Sequence, residues 1–311
     1  MNNKLVTLIG GGGFLGRYVA QALLERGARV RIAQRDPRQA FFLKPQGGLG
    51  QTQFVAVDVT KPESIARAVA GADAVVNLVG ILSGDFQRIQ VDGAKTVATE
   101  AARAGVATLV HMSAIGADSA SESGYGRSKG DGEAAVRAAF PGATILRPSI
   151  VFGREDQFLN RFAGMISSAP VVPVLRSGTQ FQPVYVGDVA QAVVAAIDHP
   201  ELAAGKTFEL GGPDTITMGA LVRWIAKTTS HKRRIVDLPD SIGAAIAGLG
   251  FLPGAPITKD QWRMLAQDNV VAPGANELAA LSITPTPLDA VAPTWLVRYR
   301  KGGRFSMAAA A

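Results

Sequence analysis

The chain has no cysteine and only three histidines in 311 residues, at positions 111, 199 and 231. Disulfides, thiolate nucleophiles and cysteine-ligated metal centres are therefore excluded, and three dispersed histidines offer no metal-ligand spacing. Aromatic residues make up only 6% of the chain. No basic cluster is interleaved with them, so nucleic acid is not an expected partner. Long apolar runs are also scarce. The longest uncharged stretch, Ser241–Thr258, is broken by Pro253, Pro256 and several glycines, and does not read as a membrane span. The first strand begins at Leu5, so neither a secretory signal nor an Arg-rich transit segment is expected, and a bacterial cytoplasm follows as the expected location.

What the chain does have is apolar residue and glycine. Hydrophobic residues reach 47% and charged residues 18%, with 35 glycines and a net charge of +7. This composition fits a globular chain with a substantial core, and the positive balance favours anionic cofactors, acidic partners or an anionic membrane surface. Strand and helix signals alternate through the first half. That pattern predicts an α/β fold with a Rossmann-type doubly wound parallel sheet. Strands are expected near Leu5–Ile9, Ala28–Ala33, Thr52–Val57, Ala74–Val79, Thr108–Met112 and Ala143–Arg147, with helices near Phe14–Arg26, Lys61–Ala70, Phe86–Ala104 and Tyr125–Ala139. From about Pro148 the elements shorten. The expected division is residues 1–150 as the nucleotide-binding domain and 151–311 as a mixed region. In the latter, Gln182–Val186 and Gly187–Ile197 return to the sheet, Lys206–Leu210 is a further strand, and helices lie near Thr217–Thr229, Asp240–Leu249 and Thr258–Gln267. Lys232-Arg233-Arg234 reads as a solvated turn, and the tail Ser306–Ala311 as a frayed end.

The strongest motif is Gly10-Gly-Gly-Gly13-Phe-Leu-Gly16 between the first strand and the first helix. Gly10 serves the tight turn, Gly13 the approach of a pyrophosphate, and Gly16 the close packing of helix on strand. Phe14, Leu15 and Gly16 then present first-turn N–H groups to the phosphates. At the end of the second strand, Arg35 suits the 2′-phosphate of NADP(H), with Arg17 able to close on it, so NADP(H) is preferred. Asp36 is the competing reading, which would serve a ribose 2′-hydroxyl and allow NAD(H). Tyr125-Gly-Arg-Ser-Lys129 places a phenol and an ammonium on one helix face. The cation is expected to lower the tyrosine pKa, which suits proton relay to a carbonyl/alcohol couple. The competing role for this pair is to hold the ribose with no turnover. His111 reads as a satisfied core histidine. Trp262, Trp295 and Tyr299 either anchor a partner or pack the smaller lobe, and the stretch with Phe251, Leu252 and Ile257 is either core or a docking surface.

With these motifs the chain resembles the short-chain dehydrogenase/reductase superfamily in its extended, epimerase-like form. The resemblance implies that Asp58 and Val59 flank adenine, and that Asn77, Val79 and Gly80 line the cofactor. It also places Tyr125 and Lys129 as the catalytic pair, and has Pro148 and Ile150 in the segment that wraps the nicotinamide. Ser113 stands near the position of a substrate-holding hydroxyl, one place off, and strand alternation aims it away from the substrate side. Ser119, Ser121 and Ser123 are the alternatives. Arg147-Pro-Ser-Ile-Val-Phe-Gly-Arg-Glu-Asp-Gln-Phe-Leu-Asn160, Gln182-Pro-Val-Tyr-Val-x-Asp188 and Pro256-Ile-Thr-Lys-Asp260 are similar to the NADPH-binding accessory-subunit family of respiratory complex I, over nearly the whole chain. That resemblance implies a tightly held structural or regulatory cofactor, complex I subunits and a membrane surface as partners, and a peripheral position on the cytoplasmic face of the inner membrane. The alternative it leaves is a free-standing oxidoreductase or epimerase/dehydratase using Tyr125 and Lys129, linked to quinone metabolism.

Overall fold

The structure is a computed structural model that describes residues 1–250, 257–303 and 305. Two compact units are present, and the chain passes between them more than once. The first comprises Met1–Pro148, Val186–Leu210 and Ala272–Thr284; the second comprises Ser149–Tyr185, Gly211–Val271 and Pro285–Ala311. The single division expected at residue 150 is therefore replaced by an interleaved one.

The first unit is built on strands β1 (Leu5–Ile9), β2 (Arg29–Gln34), β3 (Thr52–Ala56), β4 (Ala74–Asn77), β5 (Thr108–Met112), β6 (Thr144–Pro148) and β7 (Thr207–Leu210). They form one parallel sheet in the order β7-β6-β5-β4-β1-β2-β3. Every residue of β1, β4 and β5 is buried, as expected for parallel strands covered on both faces. Helices α1 (Phe14–Glu25), α2 (Pro62–Val69), α3 (Gly93–Arg103), α4 (Gly124–Ala139) and α5 (Val186–Asp198) supply the cover. Small residues let α3 lie close: Ala94, Val97, Ala98 and Ala101 join Ile65 and Val69 of α2 in one core cluster. On α1, Val19, Ala20, Leu23 and Leu24 are buried, and this helix contacts α5. The order of strands reverses between β1 and β4. In such sheets the crevice beyond the carboxyl ends at that point is where ligands bind.

Several expected elements move. The strand returning to the sheet is β7, which pairs with β6. The Gln182–Val186 segment does not: only Val184–Tyr185 is extended, and it pairs with Val151–Phe152 in the second unit. Pro183 interrupts the segment, since it has no N–H to donate to a ladder. The single helix expected over Phe86–Ala104 begins as a π-helical turn, Gln87–Asp92, before α3 starts. Pro37–Gln46, unassigned from sequence, is a 3-10 segment whose N-cap, Asp36, accepts from Arg38 N at 3.1 Å.

The second unit has its own core. Phe152, Leu159, Ile166, Leu221, Ile225 and Trp295 are among its buried residues. Trp295 stacks near Phe152 with ring centroids 6.4 Å apart, and Gly243 lies against the Trp262 ring. Both tryptophans therefore pack this unit. The basic triplet is not a solvated turn. Arg233 is tied to backbone carbonyls, and Arg234 opens a strand, Arg234–Asp237, parallel to Val171–Val174. The helix expected at Thr258–Gln267 is shorter, Lys259–Met264, and opens on a reciprocal Thr258–Gln261 capping box. Of the apolar stretch beyond Asp240–Gly248, Ile257 is buried; Phe251 and Leu252 lie outside the described residues, as does the tail Ser306–Ala311.

Candidate functional site

The glycine turn is shaped by its neighbours. Gly10 has φ +84°, a conformation that L side chains rarely adopt, and a Cβ there would meet Val79 Cγ2 at 3.2 Å. The turn after β1 and the segment after β4 are thus in contact at the point of strand reversal. At Gly16 a Cβ would overlap the backbone of Gly11, so the helix can cross the turn this closely only without a side chain. Gly12 was not singled out by the motif, yet a Cβ there would overlap the Gln34 amide. Gly13 is the N-cap of α1. No side chain caps that helix, and no acidic residue lies in its first turn. Gly13, Phe14, Leu15 and Gly16 therefore form a cradle whose positive end is left for an external anion. These features fit a dinucleotide pyrophosphate.

Beyond β2, Arg35 is exposed. Arg17, on α1, lies with its guanidinium carbon 4.7 Å from the centroid of the Phe42 ring. Phe42 comes from the 3-10 segment, which no sequence signal connected to the motif. Asp36 is engaged locally: besides capping, it accepts from Arg38 Nε at 3.0 Å, and that bond holds its carboxyl below the usual range. After β3, Asp58 accepts from the Thr60 N–H at 3.0 Å and the Thr60 hydroxyl at 2.8 Å, which lower its pKa. Val59 is buried and packs against Gly93.

At the end of β4 the Asn77 amide is buried. Its Nδ2 donates to His111 Nδ1 at 3.2 Å, and its Oδ1 accepts from Val79 N at 3.2 Å. Desolvation pushes His111 down to about 3, so it is neutral, and the bond from Asn77 leaves its proton on Nε2. It is a core histidine. Gly80 follows. A Cβ there would lie 3.4 Å from Lys129 Nζ and 3.5 Å from Gln90 Oε1. Gln90 sits on the π-helical turn, fully enclosed; it donates to Ser128 Oγ at 2.6 Å and accepts from Ile81 N at 3.2 Å. It clamps the segment after β4 to α4, and no sequence signal marked it.

Tyr125 and Lys129 lie on one face of α4, with Lys129 Nζ 5.9 Å from the phenol ring centroid. Ser123 caps the helix by accepting from Gly126 N, and Ser121 Oγ accepts from Ser123 N, so these two hydroxyls serve the loop. Lys129 Nζ donates to Met112 O at 3.2 Å. Burial lowers its pKa to about 8, with Glu133 acting in the opposite direction. The expected depression of the Tyr125 pKa is reversed. The surrounding protein desolvates its hydroxyl and pushes it up to about 12.

Ser113 is drawn elsewhere. Its hydroxyl donates to Glu133 Oε1, and Glu133 takes a two-pronged bond from Arg147, Nε at 2.8 Å and Nη2 at 2.7 Å. Arg147 Nη1 also reaches Glu209 Oε1 at 3.4 Å, and Glu209 Oε2 accepts from Ala272 N at 2.9 Å. Pro148 ends β6. Ile150 is partly buried against the core of the second unit. Among the described residues no cluster of His, Asp and Glu could hold a metal ion, and no helix is long and apolar enough to cross a membrane.

Residues 6–211 match the NAD dependent epimerase/dehydratase family. The chain belongs to that family. This epimerase/dehydratase family member is 36% identical over 309 residues to the mitochondrial NADH dehydrogenase (ubiquinone) 1 alpha subcomplex subunit 9 of Mus musculus, covering 96% of this chain and 81% of that one. It is 31% identical over 261 residues to the ceramide reductase of Caulobacter vibrioides, covering 81% of this chain and 80% of the reductase. Among solved structures it is similar to the Citrobacter sp. triphenylmethane reductase, with TM-score 0.77 and 19% identity over 94% of this chain and 99% of that one, a likeness of fold. The family match and the complex I subunit relatives indicate that the chain binds a nicotinamide dinucleotide.

Proposed function

We propose that this epimerase/dehydratase family member holds NADP(H) tightly, as a structural or regulatory cofactor, and docks to a larger respiratory assembly of the complex I kind at the cytoplasmic face of a bacterial inner membrane. The observation that carries the reading is the fate of Ser113. Its hydroxyl is committed to Glu133, which is itself held by Arg147, so no hydroxyl at the end of β5 is left to polarise a substrate carbonyl. The raised Tyr125 pKa points the same way, because a phenol at about 12 is a poor base near neutral pH.

The binding roles divide along the site. Gly10, Gly13, Phe14, Leu15 and Gly16 hold the pyrophosphate. Arg35 and the Phe42-backed Arg17 take the 2′-phosphate; the diversion of Asp36 to Arg38 supports NADP(H) over NAD(H). Asp58 and Val59 border the adenine, and Asn77, Val79, Gly80 and Pro148 line the remainder. Lys129 holds the nicotinamide ribose, with Tyr125 beside it. When bound, the cofactor supplies a hydride donor or acceptor. Similarity to the mouse complex I subunit supports the docking role. The decisive experiment is to purify the chain without added nucleotide, denature it and identify what is released by mass spectrometry. Stoichiometric NADP(H) is expected, and an empty site that takes nucleotide only weakly and exchangeably would sink the reading.

A second reading, a free-standing NAD(P)-dependent oxidoreductase or epimerase/dehydratase, is favoured by the surviving Tyr125–Lys129 pair and by the similarity to a ceramide reductase. Tyr125→Phe separates the two. An enzyme loses its rate and keeps its cofactor, whereas a structural holder of NADP(H) shows no functional defect.

A further inference from the structure

The second unit carries a recess of about 510 Å³ at the point where two of its helices end. Phe158–Ser168 and Met218–Thr228 both finish there. Arg233 Nε and Nη2 donate to the carbonyls of Ile166 and Ser167 at 2.9 and 3.0 Å, and Arg300 Nε donates to Thr228 O at 3.0 Å. His231 Nε2 donates to Tyr299 O at 2.8 Å, which fixes the ring wall of the recess. Its remaining lining is Lys232, Lys301 and Ser167.

Helix ends explain part of this charge. Each C-terminus carries about half a negative charge, and an arginine on its last carbonyls is a common way to satisfy it. Two such ends offset about one of the four permanent cations and leave an excess of about three. Lys232 and Lys301 serve no helix end and make no ion pair among the described residues, and no Asp or Glu lines the recess. Like charges lining one recess repel one another. Two of them are rigid guanidinium forks with Nη groups to spare; the other two are mobile ammonium groups at the rim. That combination matches the charge and the multiple acceptor oxygens of a phosphate group.

We infer that this recess is a second anion site, distinct from the nucleotide cradle, and that it recognises a phosphate group. None of its residues belongs to the first unit. The same chemistry is offered by a phospholipid headgroup and by a soluble phosphate, and the two sources are separated by the probe. The full chain, saturated with NADPH so that the cradle is filled, is tested in parallel against phosphatidylglycerol-containing vesicles, pure phosphatidylcholine vesicles and inorganic phosphate. Wild type is expected to bind either the anionic vesicles or inorganic phosphate, and to bind phosphatidylcholine at least tenfold more weakly than the better probe. Lys232→Ala combined with Lys301→Ala is expected to weaken binding of that probe by tenfold or more at unchanged thermal stability, since both side chains are exposed. Lys232→Arg with Lys301→Arg is expected to restore it. Retention on anionic vesicles alone assigns a headgroup; saturable binding of inorganic phosphate assigns a soluble ligand. The inference is overturned if the double alanine variant matches wild type with both probes, if neither probe binds, or if the loss follows Arg35→Ala instead. It stands independently of whether the cradle prefers NADPH.

Discussion

The two ends of the nucleotide site are built differently. The β1 turn offers a Cβ-free approach, an uncapped helix N-terminus and a guanidinium supported by Phe42. At the α4 end the residues that resemble catalytic ones are present, but their neighbours bind or desolvate them. Ser113 is bonded to Glu133, and Tyr125 is desolvated so that its proton is held more tightly. A side chain can keep its place in a fold while its neighbours reassign it, so residue type and spacing report on position more faithfully than on chemistry.

The largest effect is expected at Glu133. Glu133→Ala leaves Arg147 with only its longer contact to Glu209 and should destabilise the chain by about 3–5 kcal/mol, read by denaturant unfolding. A loss under about 1 kcal/mol would mean that the pair does little for the fold and that Ser113 is less firmly committed. At the other end, Gly16→Ala forces a Cβ into the Gly11 backbone. A cost of about 1–3 kcal/mol is expected, with loss of the nucleotide released on denaturation.

Lys129 gives a pH signature in the cofactor-free chain. Burial brings its folded pKa to about 8, below its usual 10.5. Between those values the unfolded chain binds the extra proton, so stability rises with pH from about 8 until Tyr125, raised to about 12 from 10.0, begins to oppose it above 10. Lys129→Met removes this rise, so the stability of the variant relative to wild type should fall between pH 7 and 10. A gap independent of pH would show that the ammonium is better solvated than its burial implies. Arg35→Ala should cost NADPH about 10- to 100-fold in affinity, the worth of a charge-assisted contact, while NADH changes little. Phe42→Leu should have the smallest effect, a few-fold loss for NADPH through a less constrained Arg17; equal loss for both nucleotides would make Phe42 a packing residue only.

Much of the first unit was legible because parallel strands buried on both faces read as unbroken apolar runs, and β5 falls at Thr108–Met112 as its sequence implies. The glycine turn was legible because backbone geometry restricts residue type there. What escaped reading depends on contacts distant in sequence. Gln34 against Gly12, Phe42 under Arg17 and Gln90 between Ile81 and Ser128 have no local signature. The sign of the Tyr125 shift escaped for the same reason: a lysine four residues away is visible in sequence, and the protein mass that desolvates the hydroxyl is not. In the second half, strands of two residues, such as Val184–Tyr185 and Ile216–Thr217, are too short to leave a periodicity.

The interleaving of the two units has a consequence for synthesis. Arg147 leaves the ribosome with Glu133 already made, but its second carboxylate, Glu209, comes 62 residues later, and the Ala272 N–H that fixes Glu209 comes 63 residues after that. At about 5–20 residues per second that interval lasts several seconds or more. In its first half, until Thr207–Leu210 follows, β6 is an open sheet edge beside a half-neutralised arginine. A nascent chain arrested before residue 207 therefore exposes that edge, and so would a cut at either of the first two passages between the units, after Pro148 or after Tyr185.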